Sequence, residues 1–378
     1  MKGLVAFVIC AALVAPVAAA AGKPTALGQA ERLSGLTARR PIRTVAESSA
    51  RFDVDALRVL DRAYPRSLQR VDDRLYAALG LVPAGASTRA LLVAGVRTMN
   101  AQYDPTAHVL RVRRNPAPTR AEVVHELVRA LVDQNVGLRR LASLRAHDRD
   151  ASLAANGVVD GLASVASGRR PGPLHGSPVN RFLAVERNAG LGPGRTFVAQ
   201  LRSVGGSFAV ASALRAFPQT TEQLLHLDAF LQRARALAIS LPVRVDDRAL
   251  QTSETLTASE TFGELDVRAL LRAFALPRSD SVADGWGGGR VALYTGADDA
   301  ATVAVIMRWR SQADADEWRA TVPSLVAVAF PAAQERTCPA VDHCWVLGDR
   351  ELAAASSGDV TVLASGTAGE LVAASLAR

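Results

Sequence analysis

The chain has 378 residues, 49% of them hydrophobic and 21% charged, with 44 Lys+Arg against 36 Asp+Glu and a formal net charge of +8. That length accommodates a large single domain or two domains, and the apolar content supports a sizeable core, which excludes a chain disordered in bulk. A pI near 10.2 raises nucleic acid and anionic envelope surfaces as partners. The basic residues, however, are almost all arginine and spread along the chain, and aromatic residues make up only 5%. Stacking platforms are therefore scarce: no nucleic-acid partner is expected, and weak association with anionic envelope surfaces is what the charge leaves.

Residues 1–21 read as a signal peptide. Lys2 supplies a positive start, Leu4 to Val17 is apolar and uncharged, and Ala18 to Ala21 offers the small residues a signal peptidase needs. The run is short for a membrane span, and no other segment approaches the roughly 20 apolar residues that a span requires. Cys10 follows Phe7-Val8-Ile9, a poor lipoprotein box. A secreted or extracytoplasmic chain beginning near Gly22 is expected. Residues 22–50, small and polar, predict a flexible leader.

From Asp53 to Leu81, the spacing of Val54, Leu57, Leu60, Leu68, Val71, Leu75, Ala78 and Leu79 predicts helices interrupted at Pro65. Leu91 to Val96 is apolar but too short to assign. Thr98 to Tyr103 and His108 to Arg113 predict two short strands joined by Asp104-Pro105-Thr106, which is turn chemistry. Thr119 with Glu122 three residues on forms a capping box, the strongest helix start in the chain. The helix that follows carries Val123, Val124, Leu127, Leu131 and Val132, and Gly137 suits its C-terminal cap. A further helix is predicted from near Asp150 to Ser167, more helix across parts of Arg181 to Phe217, and another opening at Thr221. The polar, poorly patterned stretch at 241–262 predicts a linker or long loop. Beyond it, residues 263–378 mix a helix near Val267 to Phe274, a tight Gly285–Gly289 loop, strand-like Val291 to Tyr294 and Thr302 to Trp309, a helix near Ala313, β signals at Trp345 to Leu347 and Val360 to Ala364, and a terminal helix from Ala368. This composition predicts a small α+β module.

The chemistry-bearing constellation is His125-Glu126-Leu127-Val128-Arg129. In an intact HExxH helix, two histidines one turn apart reach one zinc ion while the glutamate activates the metal-bound water. Here the second histidine is replaced by Arg129, which has no lone pair to offer and does not deprotonate near neutral pH.

The wider context, from roughly Asp53 to Trp318, resembles secreted bacterial zinc metallopeptidases of the zincin class. The carriers are Tyr103-Asp104-Pro105, the run Val124 to Gln134, Val158-Val159-Asp160-Gly161, Thr221 to His226, Phe262-Gly263-Glu264-Leu265 and Gly285-Trp286-Gly287-Gly288. Their order along the chain, rather than any one of them, makes the resemblance. It implies His125 as first metal ligand, Glu126 as general base and Asp160 at the third-ligand position, where such families usually carry glutamate. With Arg129 at the second-ligand position, one histidine and one carboxylate fall short of the three protein ligands that a catalytic zinc site uses. These positions are therefore read as vestigial, and no cofactor is expected unless a distant His108, His147 or His175 completes the site for zinc.

Each of these features also has a plainer structural reading. A His-Glu pair on a helix arises often by chance, His226 suits a helix surface as well as a substrate-facing position, and Trp286 among glycines suits packing over a tight turn as well as lining a groove. Cys338 and Cys344 close a short loop and, in an oxidising compartment, are a disulfide candidate. The resulting expectation is an α+β protein: a zincin-like, mostly helical domain over 51–240 with a short β-hairpin or edge sheet, then the linker and the C-terminal module. It is expected to be a monomer that binds an unknown protein or peptide partner without catalysis. The alternative is an active zinc-dependent peptidase with an atypical metal site.

Overall fold

In the computed structural model, residues 25–247, 252–296 and 301–377 are described; the signal-peptide reading of 1–21 and the processing point near Gly22 lie outside the described residues. The protein is mixed α+β. The chain opens with α1 (Ala26–Ser34), β1 (Arg43–Glu47), α2 (Ser49–Ala63), α3 (Arg66–Ala78) and α4 (Arg89–Arg97), followed by the hairpin β2 (Ala101–Asp104) and β3 (Val109–Arg113). Next come α5 (Arg120–Val136), α6 (Arg139–His147), α7 (Arg149–Ser167), α8 (Pro178–Arg187), a π-helical turn at Gly190–Gly194 and α9 (Arg195–Arg215). The short α10 (Thr221–Leu225) and α11 (Leu227–Leu231) lead to β4 (Arg244–Asp247), β5 (Thr252–Thr261), α12 (Glu264–Ala273), α13 (Ser279–Asp284), β6 (Trp286–Thr295) and β7 (Ala301–Trp309). The chain closes with α14 (Gln312–Ala329), β8 (Gln334–Arg336), β9 (His343–Leu347), β10 (Arg350–Ser357), β11 (Val360–Gly366) and α15 (Gly369–Leu376).

The helix α5 starts where Thr119 and Glu122 satisfy each other's backbone N–H groups, at 3.2 and 2.7 Å, and stops at Gly137, whose φ of 79° suits glycine. Val124, Val128, Leu131 and Val132 bury its inner face against α7, which supplies Ala155, Val158, Val159 and Leu162. On its other side α7 carries Gly161, where a Cβ would run into the Gly194 carbonyl; the small residue lets the π-helical turn lie directly on the helix. This tight packing fixes where Asp160 points.

Two expectations for the flanks of this region are corrected. Residues 22–50, expected as a flexible leader, carry α1, whose Ala30 is fully buried against α5 and α7, and β1, which pairs in parallel with β3. Ala30 is small enough for close helix contact, and buried Glu47 accepts a 2.6 Å bond from Arg111, so the segment is anchored through these two positions. The stretch Pro178–Arg215 is also long and apolar enough, by length and composition, to cross a membrane. In this fold Phe182, Phe197, Val198 and Leu201 from it are buried in the core, and Gly205 and Gly206 break its helical path.

The expected linker at 241–262 is likewise corrected. Among the described residues, the sheet runs β4-β5-β6-β7-β11-β10-β9-β8, all antiparallel, and β5 is its second strand. Threonine suits a pleated strand, but a register shift between Leu256 and Ala258 interrupts the alternation that would have marked one. Side-chain alternation gives the sheet two apolar faces. Val291, Leu293, Val303, Val305 and Met307 face a core shared with α3, α8, α12 and α14. Ala292, Tyr294, Ala304 and Ile306 face α15. Because α3 and α8 belong to the same core as the sheet, the hydrophobic interior is continuous across the expected boundary. The Gly285–Gly289 run is not a loop: Gly288 and Gly289 lie in β6, where the Leu237 and Phe262 backbones cross too close for any Cβ.

Candidate functional site

The candidate centre lies where α5, α7 and β2 meet. His125, Glu126 and Arg129 project from α5, Asp160 from α7, and Tyr103 belongs to β2. One turn separates Glu126 from Arg129, so both face the same neighbour.

Glu126 is buried and its oxygens are engaged. The Tyr103 backbone N–H donates to Oε2 at 2.8 Å, and His125 Nδ1 lies 3.1 Å from Oε1. A carboxylate only accepts, so Nδ1 carries the proton and Nε2 keeps the lone pair in the neutral ring. That Nε2 is buried with no hydrogen-bond partner. Burial by itself would raise the Glu126 carboxyl, but the His125 bond, the Arg129 charge and the Tyr103 N–H outweigh it and hold it below its ordinary value.

The guanidinium of Arg129 bonds Asp160 Oδ1 through Nη1, and its Nε lies 3.8 Å from Glu126 Oε2. Burial works against this cation, yet Asp160 and Glu126 hold its pKa above the ordinary value. The structure therefore brings together all four residues singled out in the sequence, with the arginine between the two acids.

Zinc does not fit this donor set. Asp160 is occupied by a permanent cation, a second cation beside Arg129 is repelled, and His125 contributes one nitrogen where three protein ligands are needed. The distant histidines do not supply the rest: His108 Nδ1 bonds Asp133 Oδ2 at 2.9 Å, and His147 and His175 are exposed. Among the described residues, two groups of three donors come close enough to share an ion, and neither includes His125, Glu126 or Asp160. One is Cys338, Cys344 and Glu370, whose cysteines form a disulfide with Cα atoms 6.2 Å apart. The other is His226, Glu264 and Asp284, but Arg268 already bonds both carboxylates.

The remaining sequence motifs also meet, at a second centre beneath α10. Thr221 donates from Oγ1 to Asp150 at 2.6 Å and accepts from the Leu265 N–H at 3.0 Å. Trp286 is buried and donates from Nε1 to the Phe262 carbonyl at 3.0 Å, so it packs rather than lining a groove. His226 is not a free helix-surface residue: its Nε2 lies 3.0 Å from fully buried Glu264, and that bond lifts its pKa above the ordinary value against the opposing effect of burial. Sequence reasoning missed Asp150, Arg149 and Asp266. Asp150 is buried and pushed up to about 8 by burial and by nearby Asp266; Arg149 bonds both Asp266 and Glu186. Only their clustering of charge in otherwise apolar helices could have signalled them.

A family model described as a domain of unknown function (DUF8575) matches residues 252–375. The match takes in the sheet from β5 onward and leaves α5, α7 and the Arg129 centre outside. No curated protein and no solved structure matches the chain.

Proposed function

We propose that this chain is an exported, non-catalytic relative of the secreted HExxH zinc metallopeptidases, keeping the zincin-like helix pair as a scaffold and acting by binding a protein or peptide partner. The observation that carries this reading is the Arg129 guanidinium seated on Asp160 beside Glu126, a positive charge in the place a metal ion would take. It is supported by the engaged oxygens of Glu126, which leave the vestigial base poorly placed to accept a proton from water. The alternative, an active peptidase with an atypical zinc site, draws on one observation: the buried, unpartnered His125 Nε2 is the nitrogen a ligand position would present.

Reversion separates them. Untagged wild-type protein is expected to contain no stoichiometric zinc and to show no chelator-sensitive peptidase activity. Arg129→His restores two histidines one turn apart and should gain zinc affinity by titration calorimetry. Arg129→His with Asp160→Glu should gain more, because glutamate reaches one methylene further. Near-stoichiometric zinc in the wild type would favour the peptidase, and failure of both variants to bind would remove the metallopeptidase ancestry.

A further inference from the structure

A cleft of about 830 Å³ opens between α3, the 84–87 turn and one end of the central strands β6, β7, β11 and β10. Arg70 and Arg74, one turn apart on α3, lie on one side, and Arg350, at the start of β10, lies on the other. Among the described residues, none of these three guanidinium groups pairs with a carboxylate, whereas Arg111, Arg145, Arg149 and Arg268 each pair with two or more. The acid in the cleft wall, Asp73, is already engaged: its Oδ1 accepts from the Thr88 N–H at 2.9 Å and the Thr88 hydroxyl at 2.7 Å.

Arg350 is the informative residue. It is half-buried, and its guanidinium donates to the buried Ser365 hydroxyl at 2.7 Å. Burial pushes its pKa below the ordinary value, with Asp349 offsetting only part of the effect. A partly desolvated cation without a counter-ion is costly, and an anion entering the cleft would remove that cost. A planar fork on one wall, two further guanidinium groups opposite and a serine hydroxyl suit a group with several acceptor oxygens and more than one negative charge, which is the chemistry of a phosphate. Val71, Leu293 and Val303 line the same cleft and suit an apolar body attached to it. We propose that this cleft binds a phosphate ester carrying an apolar group, with Arg350, Arg70 and Arg74 on the phosphate. The proposal does not rest on the reading of the Arg129 centre.

The test is titration calorimetry of the intact mature protein with octyl phosphate, inorganic phosphate and octanol. Saturable binding of octyl phosphate at one site is expected, with inorganic phosphate weaker and octanol silent. Arg350→Gln, and separately Arg70→Gln with Arg74→Gln, should each weaken octyl phosphate about tenfold or more, the scale of one lost charged hydrogen bond. Arg215→Gln removes the same charge from an exposed site on α9 and should leave the affinity unchanged. Should Arg350→Gln fold poorly, Arg350→Lys keeps the charge but loses the fork, and a clear weakening is still expected. Phosphatidic acid vesicles, whose head group is a phosphate monoester, identify the source: co-sedimentation that Arg350→Gln abolishes assigns a lipid head group, and octyl phosphate binding without co-sedimentation assigns a soluble ester. No octyl phosphate binding, or equal affinities for the Arg350 and Arg215 variants, overturns the proposal.

Discussion

Two arginines in this molecule each sit beside a pair of acids at α7, and their settings differ. Arg149, at the start of the helix, bonds Glu186 and Asp266, with side-chain exposures of 4%, 14% and 0%. Arg129 approaches the middle of the same helix from α5, bonding Asp160 and lying near Glu126, with exposures of 23%, 31% and 9%. The first cluster is sealed, so water cannot replace a lost partner. The second opens to solvent at Asp160, so part of its charge is hydrated whatever the partner does. The same residue types thus lock α7 to α8 and α12 at one end, while at its middle they tie it to α5 beside His125.

The sharpest way to break the comparison is to remove each arginine in turn. Arg149→Met should lose about 3–5 kcal/mol of unfolding free energy, because two buried carboxylates are left without their cation. Urea denaturation measures it, and a loss under about 1 kcal/mol would show that the cluster is not sealed. As a yardstick outside both clusters, Cys338→Ser with Cys344→Ser should cost about 2 kcal/mol, the loop-closure contribution of so short a ring. Arg129→Ala should cost least, about 1–2 kcal/mol, since Asp160 can rehydrate. If it costs as much as Arg149→Met, the two clusters do not differ in their access to water.

The two clusters also carry opposite pH signatures. Asp150, next to the sealed cluster, is raised from an ordinary 3.8 to about 8. The folded chain therefore keeps a proton that the unfolded chain releases, and this contribution to stability falls as pH rises from about 4 to about 8. Glu186 shifts in the same direction, chiefly by burial. Glu126 is lowered from 4.5, so its contribution is present above that value and is lost as pH falls through the folded pKa. Asp150→Asn should flatten the decline in melting temperature between pH 5 and 8 while leaving the acid limb unchanged. A decline that persists in the variant would assign it elsewhere.

Much of the candidate centre was legible in the sequence because its residues sit on strongly patterned helices. The Thr119–Glu122 box and the apolar spacing after it place His125, Glu126 and Arg129 on one helix, and the run ending at Ser167 places Asp160 on another. The hairpin at Tyr103 was equally readable from its turn chemistry. What could not be read was the sealed cluster. Arg149, Glu186 and Asp266 lie on three helices, and nothing local distinguishes a charge at a helix surface from one that pairs in the interior.

Local order, then, was decided by the sequence itself: capping side chains, helical periodicity and turn residues act over a few positions, and their energetics do not depend on distant chain. The strand β5 escaped that logic because a register shift at Leu256/Ala258 breaks its alternation and its threonines are polar. The glycines of β6 read as a loop because their reason for being glycine is the crossing backbones of Leu237 and Phe262, which come close to them only when the sheet has formed. The seating of Arg129 on Asp160, 31 residues further along the chain, belongs to tertiary structure for the same reason: an ion pair needs two side chains at bonding distance, and only the packing of α5 on α7 supplies it.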